Sequence, residues 1–162
     1  MNSSLENKIY NTFSNLLDIV LSLKVKPDFK VRVVNEITSD FIDHLINNYG
    51  IKGVILDVDE TIRFNSGPIT YENKEWIEIL KSKLKVIVVS NGVDNEVREY
   101  FSSLGIEYIG FANKPFKYNF KKACNILSLK PEEVVVIGDD LLCDIYGGKR
   151  NKMKTIMIRN KI

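Results

Sequence analysis

Cysteine, histidine, long apolar runs and net charge are all scarce in this sequence, and each shortage narrows what the chain can be. Its two cysteines, Cys124 and Cys143, have neither metal-site spacing nor the density of a disulfide framework, and both stand among apolar neighbours, so buried free thiols are expected. The single histidine, His44, is accompanied by no catalytic partner and reads as a surface or half-buried helix residue. No stretch approaches the roughly 18 consecutive apolar residues of a membrane span. No basic-then-apolar leader of secretory type is present, which makes a cytoplasmic location the expectation. A net charge of +2 is too small to argue for nucleic acid. Internal repeats, low-complexity tracts and linkers are missing as well.

What is present is an ordinary globular composition, 44% apolar and 27% charged over 162 residues, which fits a single domain spanning 1–162 with a core of its own. Basic residues gather at Lys24, Lys26, Lys30 and Arg32, and again at Lys149, Arg150, Lys152, Lys154, Arg159 and Lys161; a solvated surface accounts for either group. Leu5, Ile9, Phe13, Leu16, Leu17, Val20 and Leu21 recur at helical spacing over about residues 4–22. A helix packed on the core is the simpler reading of this stripe. The basic residues after it favour an anionic membrane surface as the alternative, with contact through a partner protein as another.

Pro27 marks a break, and "VRVVNEI" (31–37) reads as a short extended piece. A helix capped by Thr38 or Ser39 and stopped by Gly50 follows. The chain then alternates: strand at "GVILDV", helix over 72–83, strand at "LKVIVVS", helix over 93–104, short strand at "IEYIG", helix at "YNFKKACNIL", strand at "EEVVVIG", helix over 140–147, strand at "KTIMI". Strands of near-continuous β-branched residues separated by helices predict a three-layer α/β/α fold, a Rossmann-like and mostly parallel sheet covered on both faces.

Ligand sites in such folds lie beyond the carboxyl ends of the strands, and the polar residues fall there. "VILDVDET" ends in Asp57, Asp59 and Thr61; "VIVVSN" in Ser90 and Asn91; the third strand leads to Lys114; "VVVIGDD" ends in Gly138, Asp139 and Asp140, with Asp144 following. Ionised carboxylates on a buried strand need partners. Asp57, Asp59 and Asp139 make a hard oxygen set suited to magnesium, which is commonly shared with phosphate. Ser90, Lys114 and backbone N–H groups near Thr61 and Asn91 could hold phosphoryl oxygens. Asp139 could also cap the next helix, and Asp140 reads as an acidic residue favoured by that helix's dipole. Gly147 and Gly148 read as the stop of the last helix.

The ordered set resembles the haloacid dehalogenase-like (HAD) phosphatase superfamily: "DVDET" at 57–61, Ser90 in "VVSN", Lys114 in "NKP", and "GDDLLCD" at 138–144. The resemblance implies a HAD-like fold and a phosphomonoester substrate. Asp57 would be the nucleophile, forming an aspartyl-phosphate, and Asp59 the acid and base. Thr61, Ser90, Asn91 and Lys114 would contact the phosphoryl group. Magnesium would be held by Asp57, the backbone carbonyl of Asp59 and Asp139, with Asp144 or Asp140 in support.

Over most of the chain, "GIKGVILDVDETI" and "GDDLLCDIYGGKRNKMKTIMI" are similar to the YqeG-like, phosphatidylglycerophosphate phosphatase-like branch. In that branch Gln usually stands at the position of Asp140, Thr at Cys143 and Asn at Glu60. Neither the gap after Thr61 nor that between Ser90 and Lys114 has room for a separate cap domain. An open rim suits a phosphate on something large, such as a membrane lipid headgroup reached from the inner face of the membrane. A soluble monophosphate would fit if a second copy of the chain closed the site, and a phosphate-binding module without chemistry is the reading from outside the enzymes.

Overall fold

Val54, Ile55 and Leu56 offer no polar alternation, so a strand made of them needs cover on both faces. The computed structural model, which describes residues 15–159, provides that cover. Its strands are β1 Phe29–Val31, β2 Gly53–Leu56, β3 Lys85–Val89, β4 Glu107–Ile109, β5 Val134–Gly138 and β6 Lys154–Ile158. Helix α1 covers 15–22, followed by α2 Ser39–Tyr49, α3 Tyr71–Lys83, α4 Asn95–Ser103, α5 Lys117–Leu127 and α6 Gly147–Arg150, the last continuing a π-helical segment, Leu141–Tyr146. All pairings are parallel, in the order β1-β6-β5-β2-β3-β4. Among the described residues there is no inserted cap domain, as the spacing predicts.

The pleat sorts the side chains by parity. Val54, Leu56, Val86, Val88, Val135 and Ile137 join the core under α2, α3 and α4, with Trp76, Ile77, Leu80 and Phe101. Ile55, Ile87, Val89, Val134 and Val136 face the other way, toward Phe120, Ala123, Cys124 and Leu127 of α5. The Trp76 indole N–H enters the first core because it has a partner there, the Ile37 carbonyl at 3.0 Å.

The helix signals hold where their capping chemistry is explicit. Thr38 accepts from the Phe41 N–H and Gly50 closes α2 at φ 66°, a left-handed conformation that glycine takes without penalty. Two expectations need correction. Only Val31 of "VRVVNEI" is in a strand, and Val34–Glu36 is a 3-10 turn, because the Glu36 carboxylate folds back onto the N–H and guanidinium of Arg32. Gly147 and Gly148 do not stop a helix but lie in α6. A Cβ on Gly148 would sit 2.8 Å from Thr155 Cγ2 and 2.9 Å from Val136 Cγ2, so the bare backbone lets α6 lie on the sheet.

Of the N-terminal apolar stripe, Leu5, Ile9 and Phe13 lie outside the described residues. Its remaining members, Leu16, Leu17, Val20 and Leu21, are turned outward and exposed, as are Ile19 and Leu23 beside them. Helix α1 is held instead by Asp18, which accepts from the Tyr146 hydroxyl at 2.9 Å and from the Arg150 guanidinium at 3.3 Å. His44 is exposed on α2, Cys124 is buried, and Cys143 is only half-buried, short of the buried thiol expected.

β1 joins the sheet edge through Asp28, which accepts from the N–H of Thr155 at 2.8 Å and from its hydroxyl at 3.1 Å, and pairs with Lys149 and Lys154. Burial works against its ionisation, yet Lys149, the Thr155 N–H and Lys154 outweigh it and hold the carboxyl below its ordinary value. Asp28→Ala should therefore cost about 1–3 kcal/mol at neutral pH, read as a lower urea midpoint. A lowered folded-state value stabilises above the ordinary aspartate range, so the difference should fade as pH falls through the lowered value. An unchanged midpoint at neutral pH would show that these bonds hold nothing.

Candidate active site

β2 occupies the centre of the sheet, and the chain leaves it for β3 on one side and later for β5 on the other. Loops diverge at such a switch point and leave a crevice. Asp57 follows β2 directly, and its N–H still donates to Ile137 at 3.0 Å, so the ladder with β5 runs one step past the strand. The acid is thus carried to the rim by a central strand of the sheet.

Lys114 binds the loops together. Its ammonium, almost wholly buried, donates to Asp57 Oδ1 at 2.6 Å and to Asp144 Oδ1 at 2.5 Å. The Thr61 hydroxyl donates to Asp57 Oδ2 at 3.1 Å and stands 3.5 Å from Asp139 Oδ1. Asp144 accepts at its other oxygen from the Asp140 N–H at 3.1 Å, and its carboxylate rests against Gly138, where any Cβ would collide with it. The Gly-Asp-Asp sequence therefore has a steric reason: only glycine lets the buried Asp144 reach Lys114.

Asp57, Asp139 and Asp144 each bring a carboxylate oxygen into a group whose members lie within 4.8 Å of one another. Burial, and then the charge of Asp57, push the Asp139 carboxyl up to about 6. Asp144 is likewise raised by burial against the pull of Lys114. Burial would discharge Lys114, but Asp144 and Asp57 outweigh it and shift it upward. Lys114 is therefore charged, facing two carboxylates at hydrogen-bonding distance. Three carboxylates against one ammonium leave two formal negative charges, and a hard divalent cation with oxygen ligands fits that deficit.

The other expected residues take distinct places. Ser90 is buried, and its hydroxyl accepts from the Gly92 N–H at 3.2 Å. The Asn91 side chain ties the β3 loop to the β4 loop: its oxygen accepts from the Lys114 N–H at 2.7 Å and its nitrogen reaches the Lys114 carbonyl at 3.4 Å. Asp140, not Asp139, caps the segment that follows, accepting from the N–H groups of Leu142 and Cys143. Its carboxylate is spent on the backbone, which leaves Asp139 to the cluster.

Asp59 stands apart. Its side chain lies outside the carboxylate group and is 48% exposed, and Oδ1 accepts from Arg63 Nε at 2.8 Å. Arg63 also reaches Asp94 at 2.7 Å. Sequence reasoning misses this arginine; its signal is a lone cation four residues after Asp59, set between Ile62 and Phe64. The bracing role of Asn91 is missed too, for it depends on the Lys114 backbone, distant in the chain.

A HAD-hydrolase-like family model matches residues 111–161. The chain is 36% identical over 134 residues to the probable phosphatase YqeG of Bacillus subtilis, covering 82% of this chain and 76% of that protein. It is 33% identical over 98 residues to the glyceraldehyde 3-phosphate phosphatase of Pyrococcus furiosus, covering 59% of this chain but only 35% of the archaeal protein. The 2-haloacid dehalogenase of Pseudomonas syringae superposes with a TM-score of 0.51 at 22% identity, over 56% of this chain and 41% of that one, a likeness of fold.

Lys114→Met would leave Asp57 and Asp144 buried without their counter-charge, at an expected cost of about 3–5 kcal/mol. The variant should melt below the parent in chelator, and added magnesium should raise its Tm by more than it raises the parent's. Equal melting in chelator would contradict the counter-ion role.

Proposed function

We propose that this chain, which belongs to the HAD-like phosphatase superfamily, is a magnesium-dependent phosphomonoester hydrolase that works through an aspartyl-phosphate on Asp57. The observation that carries this reading is the buried Lys114 joining Asp57 to Asp144 beside Asp139. An Asp57 carboxylate oxygen forms the new bond to phosphorus while the bond to the leaving oxygen breaks, and Asp59 gives that oxygen its proton. Asp59 then takes a proton from water, whose oxygen attacks phosphorus, releasing phosphate and restoring Asp57. Lys114, Ser90 and the backbone N–H groups about Thr61 and Asn91 face the phosphoryl oxygens. Magnesium, held by Asp57, Asp139 and the Asp59 carbonyl with Asp144 behind them, would supply charge neutralisation for the transferring group.

For the substrate, the reading is phosphatidylglycerophosphate presented at a membrane surface. Its support is the capless rim together with apolar exposure: Phe111 and Phe116 flank the Lys114 loop, α1 turns Leu16 and Leu17 outward, and Leu23 is exposed in the turn after it. Lys24, Lys26, Lys30 and Arg32 are all exposed after α1, placed to meet anionic lipid. Among the described residues no helix is long and apolar enough to cross a membrane, so such contact would be peripheral. A soluble monophosphate is the second reading, favoured by the likeness to the archaeal glyceraldehyde 3-phosphate phosphatase.

One experiment separates these readings. Turnover of vesicle-borne phosphatidylglycerophosphate and of a soluble monophosphate panel is measured with and without magnesium, for the parent and for Asp57→Asn. Magnesium-dependent turnover that favours the vesicles and is lost by at least about a thousandfold in the variant is expected. Turnover of a soluble compound alone would move the assignment to the second reading. No turnover of any phosphomonoester by the folded chain would leave a phosphate-binding module.

A further inference from the structure

We propose that Arg63 is a positioning residue for the reaction, clamping the Asp59 carboxylate to the start of α4 so that one of its oxygens is fixed and the other is free to exchange a proton. The inference rests on the reading of Asp59 as the acid and base, and adds a residue that no part of that reading contains.

The clamp begins in the backbone. The N–H groups of Thr61, Ile62 and Arg63 all turn in toward the Val58 carbonyl, and Glu60 takes a left-handed φ of 56°, so the chain doubles back and sets Arg63 beside Asp59. Arg63 is 7% exposed, although it follows a loop at the protein surface. Burying a guanidinium is costly unless its charge and its donors are met, and here both are. Nε donates to Asp59 Oδ1 at 2.8 Å, and a terminal nitrogen donates to Asp94 Oδ2 at 2.7 Å.

Asp94 is not a loose surface acid. Its other oxygen accepts from the Val97 N–H at 3.1 Å and caps α4. The guanidinium is therefore tied to a helix terminus on one side and to Asp59 on the other, with a cleft of about 260 Å³ opening beyond it between the 66–69 loop and α4. Without this tie, a half-exposed aspartate would sample several rotamers.

The free oxygen matters most. Asp59 Oδ2 has no hydrogen-bond partner among the described residues and would lie 3.4 Å from a Cβ on Gly92, beside the Ser90 loop. Holding Oδ1 while leaving Oδ2 open is what a proton-transfer group needs, because small errors in placement cost rate heavily. Arginine suits the task better than lysine, since its planar fork presents two donors at a fixed angle, whereas an ammonium offers one point.

The test uses the full chain with magnesium, measuring kcat and KM for p-nitrophenyl phosphate and for an alkyl monophosphate such as glycerol 3-phosphate. Loss of parent turnover in Asp57→Asn reports on the phosphatase reading alone; the Arg63 inference is read from relative effects. Arg63→Gln should lower kcat on the alkyl ester by roughly a hundredfold, but by less than about tenfold on the nitrophenyl ester, which leaves without a proton. KM should stay within about threefold of the parent, and Arg63→Lys should recover part of the loss. In an Asp59→Asn background, Arg63→Gln should add almost nothing, since the arginine acts through Asp59. Asp94→Asn, which keeps the capping oxygen, should show the same leaving-group bias more weakly and covers the case in which Arg63→Gln does not fold. Equal losses on both esters, additive losses over Asp59→Asn, or parent-like kcat in Arg63→Lys and Asp94→Asn alike would overturn the inference.

Discussion

A buried ammonium facing two buried carboxylates holds this structure's working end together. Lys114 comes from the loop after β4, Asp57 from the end of β2 and Asp144 from the segment after β5, and the three meet where bulk water hardly reaches. Such a network stabilises little on net, because desolvation offsets the attraction, but removing one partner is costly. Its effect is specificity: with Lys114 in place, the three loops are held in an arrangement in which both buried carboxylates face the same ammonium. Gly138 and Asn91 serve the same arrangement, the first by making room for Asp144 and the second by pinning the Lys114 backbone.

Two aspartates two residues apart come to differ because β2 ends before them and the chain turns back on the Val58 carbonyl. Asp57 is nearly buried and bonded to Lys114 and Thr61, whereas Asp59 is half-exposed and bonded to Arg63. A carboxylate fixed between an ammonium and a hydroxyl suits attack on phosphorus, and one with a free oxygen at the surface suits proton transfer. The division of labour proposed for them follows from these surroundings. An aspartate that served both roles would have to be held and free at once.

Much of this is legible in the sequence because it follows from period and placement. The β-branched runs at 53–56, 85–89 and 134–138 leave no choice but a sheet covered on both sides, and polar residues at the end of each run mark the rim. Thr38 and Gly50 are readable as caps because their chemistry is local. What escapes depends on contacts distant in the chain or on crowding. Gly147 and Gly148 look like a helix stop until Phe120, Val136 and Thr155 are seen against them. Asp139 and Asp140 are adjacent and chemically identical, and only the turn of the backbone decides that Asp140 caps while Asp139 faces the cluster. Arg63 is recognisable only once α4 brings Asp94 to it.

The central claim is that Asp57 carries the phosphoryl group, and chemical trapping addresses it directly. The parent enzyme is acid-quenched during steady-state turnover and reduced with borohydride, which converts an acyl phosphate to an alcohol, and its peptides are mapped by mass spectrometry. The account predicts homoserine in place of aspartate at Asp57 and at no other acid. Modification at another residue, or sustained turnover with no trapped acyl phosphate, would contradict it.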